Sequence, residues 1–160
     1  MDIKRKEYFK RIEADPQPLS LSIKRRVSFN EVDPLGIVWY GNYAIYFEEA
    51  QAELCRRCGL TYQDYFSAKL RPPIVAFHID YQQPLYLDEE FTVKASLIWC
   101  EGAKINMEYE IIKEDGSIAT RGYTIQVLVE EGTKQACIIA PELISRLRKR
   151  WQNGEFKCLK

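Results

Sequence analysis

The chain has 160 residues, of which 46% are hydrophobic and 29% are charged, and this composition is typical of one globular domain with a substantial core. Lysine plus arginine and aspartate plus glutamate number 23 each, so bulk charge predicts neither a nucleic acid nor a membrane partner. No apolar run approaches the roughly 18 residues that span a bilayer, and Met1 to Lys6 lack the apolar segment of a secretory signal. A cytoplasmic location is therefore expected.

Residues 1–18 form a charged N-terminal arm that ends in Asp15-Pro16-Gln17-Pro18, because prolines at this spacing break regular structure. We expect the arm to be a helix or a flexible lead, and residues 19–160 to form a single domain. Apolar and polar residues then alternate from Leu21 to Phe29, with only Arg25 off the pattern. This alternation predicts a half-buried strand.

An aspartate, Asp33, lies in a tight turn between that strand and a long predicted helix. Pro34 favours an extended backbone at Asp33, and Gly36 permits a geometry that other residues resist. The helix opens near Gly41 or Asn42, where the first amide hydrogens lack partners inside the helix. Because those donors can polarise a carbonyl oxygen, we expect a carboxylate and an oxyanion site side by side. The alternative is a purely structural turn aspartate.

The predicted helix has one apolar face, and Gly59 is well placed to end it. The residues of that face follow helical spacing: Tyr43, Phe47, Ala50, Leu54 and Cys58. Residues 61–69 are expected to form a shorter helix or a loop, closed by Pro72 and Pro73.

The apolar period then changes to two, which predicts four more strands. Their apolar faces are Val75, Phe77, Ile79 and Tyr81; Phe91, Val93, Ala95, Leu97 and Trp99; Ile105, Met107, Tyr109 and Ile111; and Ala119, Tyr123, Ile125, Val127 and Val129. Asp115-Gly116 is a hairpin signal between the last two. Five strands and one long inserted helix predict an α+β fold with an antiparallel sheet around the helix. A basic helix, residues 141–151, closes the chain.

The run from Asp33 to Tyr43, Asp-Pro-Leu-Gly-Ile-Val-Trp-Tyr-Gly-Asn-Tyr, with Tyr46-Phe47-Glu48 after it, resembles the signature of the 4-hydroxybenzoyl-CoA thioesterase family of hotdog-fold acyl-CoA thioesterases. The likeness extends to Ile79-Asp80-Tyr81-Gln82-Gln83-Pro84-Leu85 with Asp88 shortly after, and covers most of residues 21–130. It implies a hotdog fold, a five-stranded antiparallel sheet wrapped around one long central helix. Many relatives have histidine where this chain has Tyr40, and others have tyrosine, so the acyl group stays open.

The resemblance implies an acyl-CoA thioesterase that releases a free acid and CoA without a metal or redox cofactor, CoA being part of the substrate. Asp33 would act as nucleophile or as general base on water, with Tyr40 and Gly41 at the oxyanion site. The substrate-binding residues expected beside them are Trp39, Asn42, Tyr43 and Glu48. An aromatic or medium-chain acyl group is expected, on CoA or alternatively on acyl carrier protein. In this family two subunits pair edge to edge, so a homodimer or homotetramer is expected.

Other interpretations compete with this one. A hotdog dehydratase or hydratase needs an acid/base pair that often includes histidine, and His78, the only histidine, lies far along the chain from Asp33. A non-catalytic acyl-binding hotdog module does not need the intact Asp33 motif. For Glu48, a structural glutamate that binds the backbone or a hydroxyl is favoured over a glutamate that orients a water or binds the Asp33 turn. For Cys55-x-x-Cys58, packing is favoured over zinc or redox chemistry, because no second pair or histidine stands at metal-ligand spacing.

Overall fold

The structure is a computed structural model, and it describes residues 7–157 and 159. In chain order the described elements are β1 (Leu19–Arg26), α1 (Tyr43–Cys58), α2 (Tyr62–Ser67), β2 (Leu70–Arg71), β3 (Ile74–Tyr81), β4 (Glu90–Ile98), β5 (Lys104–Lys113), β6 (Ile118–Val127), β7 (Val129–Glu130) and α3 (Glu142–Gln152). Short 3-10 helices span Phe29–Glu31 and Tyr40–Asn42.

Five strands form one antiparallel sheet in the order β1-β4-β5-β6-β3. Strands β2 and β7 pair separately. Helix α1 lies against the sheet and buries the whole predicted apolar face together with Tyr46. It ends at Gly59, which has a φ of 77° and donates its N–H to the carbonyl oxygen of Cys55. The predicted α+β hotdog fold is confirmed.

Aromatic packing sets how closely α1 approaches the sheet. Tyr46 and Phe47 are almost fully buried. The Phe47 ring stacks on Tyr109 of β5 with 4.5 Å between centroids, and Tyr46 packs against Phe91 of β4 at 4.9 Å. A Cβ atom at Gly122 of β6 would lie 2.7 Å from the Phe47 ring. Because glycine has no Cβ atom, Gly122 allows α1 to approach the sheet closely.

The predicted extent of the first strand is wrong at its C-terminal end. β1 stops at Arg26, and Phe29 lies in the first 3-10 helix with 83% of its surface exposed. The chain leaves the strand because Ser28 and Glu31 form a capping box, in which the Ser28 N–H donates to Glu31 Oε2 at 2.8 Å. Arg25, the residue off the pattern, falls at the same alternation as the buried Leu21.

The predicted inward face of β6, the last of the four strands predicted after the helix, is also wrong. Met107 of β5 pairs with Thr124 of β6, so the helix-facing positions of β6 are Thr120, Gly122, Thr124 and Gln126. The apolar residues Tyr123, Ile125 and Val127 consequently face the other side of the sheet. Val129 is outside this sheet altogether, because it belongs to β7 and pairs with Arg71 of β2.

Residues 7–18 contain neither helix nor strand, and they pack on the outer side of the sheet. Tyr8 and Phe9 place their rings 5.0 and 5.5 Å from the Tyr123 ring, and the Tyr8 hydroxyl donates to Asp80 Oδ2 at 2.6 Å. The arm is therefore docked over β3 and β6, and it covers the apolar outer face of β6. Residues 1–6 lie outside the described residues.

Strand β3 is an edge of the sheet and carries an unusual amount of exposed apolar surface. Ile74, Val75, Phe77 and Tyr81 are between 46% and 58% exposed. A long apolar edge strand pairs readily with another chain. Within the described part of the chain, none of the helices combines the length and the apolar character needed to cross a bilayer.

The exposed β3 edge predicts self-association. Light scattering at micromolar concentration should give a mass that is a multiple of the 18.8 kDa chain, and Val75→Lys should shift it towards the monomer by placing a charge on the edge. Ile138→Lys is the matched control, because Ile138 is 95% exposed and belongs to the segment between β7 and α3 instead of to the edge strand. A wild-type monomer that still hydrolyses thioesters would contradict a site shared between subunits.

Candidate active site

The Asp33 turn is closed by its own backbone. The Asp33 N–H donates to the Ile37 carbonyl oxygen, and the Gly36 N–H donates to the Asp33 carbonyl oxygen, both at 2.9 Å. Gly36 has a φ of 76°, which glycine adopts without strain. Asp33 Oδ1 accepts the Leu35 N–H at 2.8 Å, whereas Oδ2 has no hydrogen-bond partner among residues 7–157 and 159. One carboxylate oxygen is thus anchored and the other is free to react.

The carbonyl oxygen of Glu31 ties this turn to the opening of α1. It accepts the Trp39 N–H at 2.9 Å and the Asn42 Nδ2–H at 2.8 Å. The Val38 N–H donates to the Leu85 carbonyl oxygen at 2.9 Å. The segments before and after Asp33 are therefore joined, and the 3-10 helix Tyr40–Asn42 leads directly into α1. The Asn42 side chain thus makes a structural hydrogen bond to the Glu31 carbonyl oxygen.

Arg25 connects three parts of this frame. Its guanidinium pairs with Glu31 of the Asp33 loop at 2.7 Å and with Glu49 of α1, and it lies 4.8 Å from the centroid of the Tyr46 ring. Burial opposes the charge of Arg25, but the two carboxylates outweigh it and raise the pKa of the guanidinium above its usual value. Arg25 thus fixes the Asp33 loop relative to β1 and α1.

Asp33, Tyr40 and Tyr43 line a cavity of about 300 Å³ together with Tyr81 and residues 82–84. The Tyr81 hydroxyl donates to the Tyr40 carbonyl oxygen at 2.9 Å, and the Tyr43 ring meets Tyr81 edge-on with 5.1 Å between centroids. The two sequence segments that carry the family resemblance, about 40 residues apart, therefore meet at one cavity.

The remaining predicted residues take different positions. Trp39 is half-exposed and packs against Tyr40 with 5.0 Å between the ring centroids and a tilt of 45°. It also covers Gly41, where a Cβ atom would come within 2.1 Å of the indole ring. Glu48 is exposed and is not brought to the Asp33 cavity, and its Oε1 accepts the Tyr62 hydroxyl at 2.7 Å. The alternative of a glutamate bound by a hydroxyl is the one that the structure shows.

Glu48 instead lines a second cavity of about 420 Å³ between α1 and β3, which we call the α1–β3 cavity. Four of its polar residues were not predicted as site residues: Gln51, Tyr109, Thr124 and Gln126. Their signal was present in the sequence: Gln51 follows Glu48 by three residues on one helix face, and Thr124 and Gln126 alternate along a strand. His78 lies on the outer side of the sheet, 3.0 Å from Asp80.

The hotdog fold, with a carboxylate beside the opening of its long helix, is the arrangement expected of an acyl-thioester hydrolase. The sequence profile of the Thioesterase-like superfamily matches residues 27–147, and the chain belongs to this superfamily. The prediction of a thioester hydrolase is confirmed at this level.

Relatives and solved structures agree with this membership. A protein of Aquifex aeolicus (strain VF5), provisionally named an esterase, is 33% identical over 109 residues, which are 68% of this chain and 84% of the relative. The 1,4-dihydroxy-2-naphthoyl-CoA hydrolase of Synechococcus elongatus is 24% identical and covers 70% of this chain and 83% of its own. The structure of a DHNA-CoA thioesterase from Staphylococcus aureus superposes with a TM-score of 0.70 at 23% identity, over 86% of this chain and 89% of that one.

The contacts of Arg25 predict that it positions Asp33. Arg25→Met should lower kcat/KM about tenfold and destabilise the fold by about 2 kcal/mol, because it leaves the largely buried Glu31 carboxylate unpaired. Arg26→Met is the matched control, since Arg26 pairs with Asp88 and Glu90 at the surface and its loss should leave kcat/KM and thermal stability close to the wild-type values. Thioester hydrolysis and thermal denaturation measure both effects. Equal behaviour of the two variants would contradict the positioning role.

Proposed function

We propose that this protein is an acyl-CoA thioesterase of the 4-hydroxybenzoyl-CoA thioesterase type, which hydrolyses an aromatic or medium-chain acyl-CoA to a free acid and CoA. The observation that carries the proposal is the free Oδ2 of Asp33, in a cavity at the opening of α1. Curated relatives support the substrate class, since one is named a 1,4-dihydroxy-2-naphthoyl-CoA hydrolase and another an acyl-CoA thioester hydrolase.

Two reaction routes begin from this arrangement. In the first, Asp33 Oδ2 attacks the thioester carbonyl carbon, the C–S bond breaks, CoA leaves as the thiolate, and water hydrolyses the mixed anhydride that remains. In the second, Asp33 takes a proton from water, the resulting hydroxide attacks the carbonyl carbon, and CoA again leaves as the thiolate. Both routes place negative charge on the carbonyl oxygen. The amide hydrogens at Tyr40 and Gly41, where the 3-10 helix begins, would stabilise that charge.

The lining of the Asp33 cavity favours flat or apolar acyl groups. Tyr40, Tyr43 and Tyr81 place three aromatic rings around the carboxylate, and aromatic rings bind such groups through stacking and burial of area. The Tyr40 ring is 67% exposed, so a second subunit is expected to complete the pocket around it. The proposed reaction uses no metal or redox cofactor.

The hydratase alternative is less well supported. His78 pairs with Asp80 and stacks on Tyr123 at 5.4 Å, on the side of the sheet that faces away from α1. Because Asp33 lies at the opening of α1, on the other side of the sheet, His78 does not form an acid/base pair with Asp33 within one subunit.

Asp33→Asn should abolish most of the turnover, because an amide of the same shape is neither a nucleophile nor a base. We expect kcat to fall roughly 100-fold or more, with an unchanged circular dichroism spectrum and oligomer mass. Asp15→Asn is the control, since this carboxylate lies in the arm and only caps the Ile12 N–H. The assay is release of free CoA thiol, and turnover within about threefold of wild type would rule out the assigned role.

The acyl preference follows from the apolar cavity. Each buried methylene contributes about 0.8 kcal/mol, so even partial burial of a hexanoyl chain should raise kcat/KM roughly tenfold over acetyl-CoA. The measurement is kcat/KM for acetyl, hexanoyl, decanoyl, benzoyl and hydroxybenzoyl thioesters, on both CoA and acyl carrier protein. Acetyl-CoA as the best substrate would contradict the apolar pocket, and reaction of the carrier-protein esters alone would contradict CoA as the carrier.

A further inference from the structure

The α1–β3 cavity has apolar walls and a polar floor. Its walls include Phe47, Cys55, Leu60, Tyr65, Ile74 and Phe77, and its volume is about 420 Å³. A cavity of this size and character is suited to a small organic molecule. Nothing in the reaction described above uses the polar groups at its floor.

Those polar groups form one directed chain of hydrogen bonds. The Tyr109 hydroxyl donates to Gln51 Oε1, so the Thr124 hydroxyl, 2.9 Å away, must be the donor to Tyr109. Gln51 Nε2 donates to Gln126 Oε1 at 2.9 Å, and Gln126 Nε2 donates to the Pro72 carbonyl oxygen at 2.9 Å. Each group is thereby held in one orientation.

The chain leaves two donors unused. A carboxamide has two N–H groups, and Gln51 and Gln126 each spend one of them within the chain. In the part of the protein that the structure describes, neither second N–H meets an acceptor. Gln126 is only 8% exposed, so its spare donor is largely shielded from water. A buried donor gains most from an acceptor that arrives with a bound molecule.

The position of this floor sets the length of a ligand that reaches it from Asp33. Tyr43 lines the Asp33 cavity and Gln51 lines the α1–β3 cavity, and eight residues of α-helix span about 12 Å. Both cavities face β3, because Tyr43 meets Tyr81 and Phe47 meets Phe77. An extended carbon chain advances about 1.25 Å for each bond of about 1.5 Å. About ten carbons are therefore needed to cover the distance, and one aromatic ring does not cover it.

We propose that the α1–β3 cavity receives the far end of the acyl group, and that Gln51 and Gln126 select acyl chains of about ten carbons with an oxygen acceptor, a hydroxyl or keto group, near that end. This inference rests on the proposed function, since it takes the thioester to lie at Asp33. The walls bind the methylene groups, and the spare N–H groups bind the oxygen.

The test compares kcat/KM for 10-hydroxydecanoyl-CoA and decanoyl-CoA. The wild-type protein should favour the hydroxylated ester about fivefold, the effect of one neutral hydrogen bond. Gln51→Met should reduce this ratio to about one, because it keeps the length of the side chain but removes both a spare donor and the hydrogen bond that orients the Gln126 amide. Gln63→Met is the matched control, since this amide lies on α2 outside the cavity and donates to Ser67 Oγ at 3.3 Å.

A second variant covers the loss of the Tyr109 contact. Gln51→Glu keeps an acceptor for the Tyr109 hydroxyl but removes the amide donor, so it should lose the preference for a keto ester, 9-oxodecanoyl-CoA, over decanoyl-CoA while retaining the fold. The keto ester is the probe for this variant, because a hydroxyl group could donate to the new carboxylate. A wild-type ratio near one, or a ratio that survives in both Gln51 variants, would overturn the inference even if decanoyl-CoA is hydrolysed well.

Binding separates this inference from the proposed function. Calorimetry on the Asp33→Asn variant should show about fivefold tighter binding of 10-hydroxydecanoyl-CoA than of decanoyl-CoA, and adding Gln51→Met should equalise the two. Equal binding by Asp33→Asn itself overturns the polar floor. If the wild-type protein hydrolyses neither ester nor any member of the thioester series, the proposed function fails, and the polar-floor inference fails with it.

Discussion

Burial of the apolar face of α1 against a single sheet is the constraint on which the rest of the structure depends. Tyr46 and Phe47 are buried on one side of the helix, and each such side chain stabilises the fold by about 1.5–3 kcal/mol. With that face fixed on the sheet, the helix must open beside the Asp33 turn and must turn its adjoining face towards β3. Both cavities follow from this single docking geometry, because α1 lines them at successive turns.

A partly buried charged side chain, that of Arg25, lies between the Asp33 loop and α1. Arg25 stands at an inward-facing position of β1 and meets Glu31 and Glu49 there. A half-buried charge is retained only when it is well paired, and its partners lie on the two segments that must keep a fixed separation, the Asp33 loop and α1. The ion pairs of Arg25 with Glu31 and Glu49 fix the distance between the Asp33 loop and the opening of α1. They do so better than apolar contacts would, because hydrogen-bonded ion pairs are directional.

The spacing of apolar residues was sufficient to predict the helix and the strands that bury one face and leave the other exposed. The stripe of α1, its end at Gly59 and the alternation in β4 and β5 all match the structure, and the Asp33 turn lies at the predicted helix opening. The site could be predicted only in part. Glu48 shares the motif but turns to Tyr62, and the polar floor joins residues of α1, β5 and β6. The alternation of Thr124 and Gln126 is visible in the sequence, but the sequence does not show that these residues meet Gln51 and Tyr109 across three elements.

In β6 the polar side chains face α1 and the apolar side chains Tyr123, Ile125 and Val127 face the other side of the sheet. This orientation explains both the wrong prediction of the inward face of β6 and the polar floor of the α1–β3 cavity. Its inward positions hold Thr124 and Gln126 although their β5 partners are Met107 and Ile105, and an apolar sheet face would place valine or isoleucine there. The outward Tyr123 would then be left uncovered, but Tyr8 and Phe9 of the arm pack on it. Docking of the arm thus stabilises a strand whose polar side points inward. The polar inner face of β6 forms part of the floor of the α1–β3 cavity, and the arm packs on Tyr123 of its outer face. The arm therefore supports the cavity from the opposite side of the sheet.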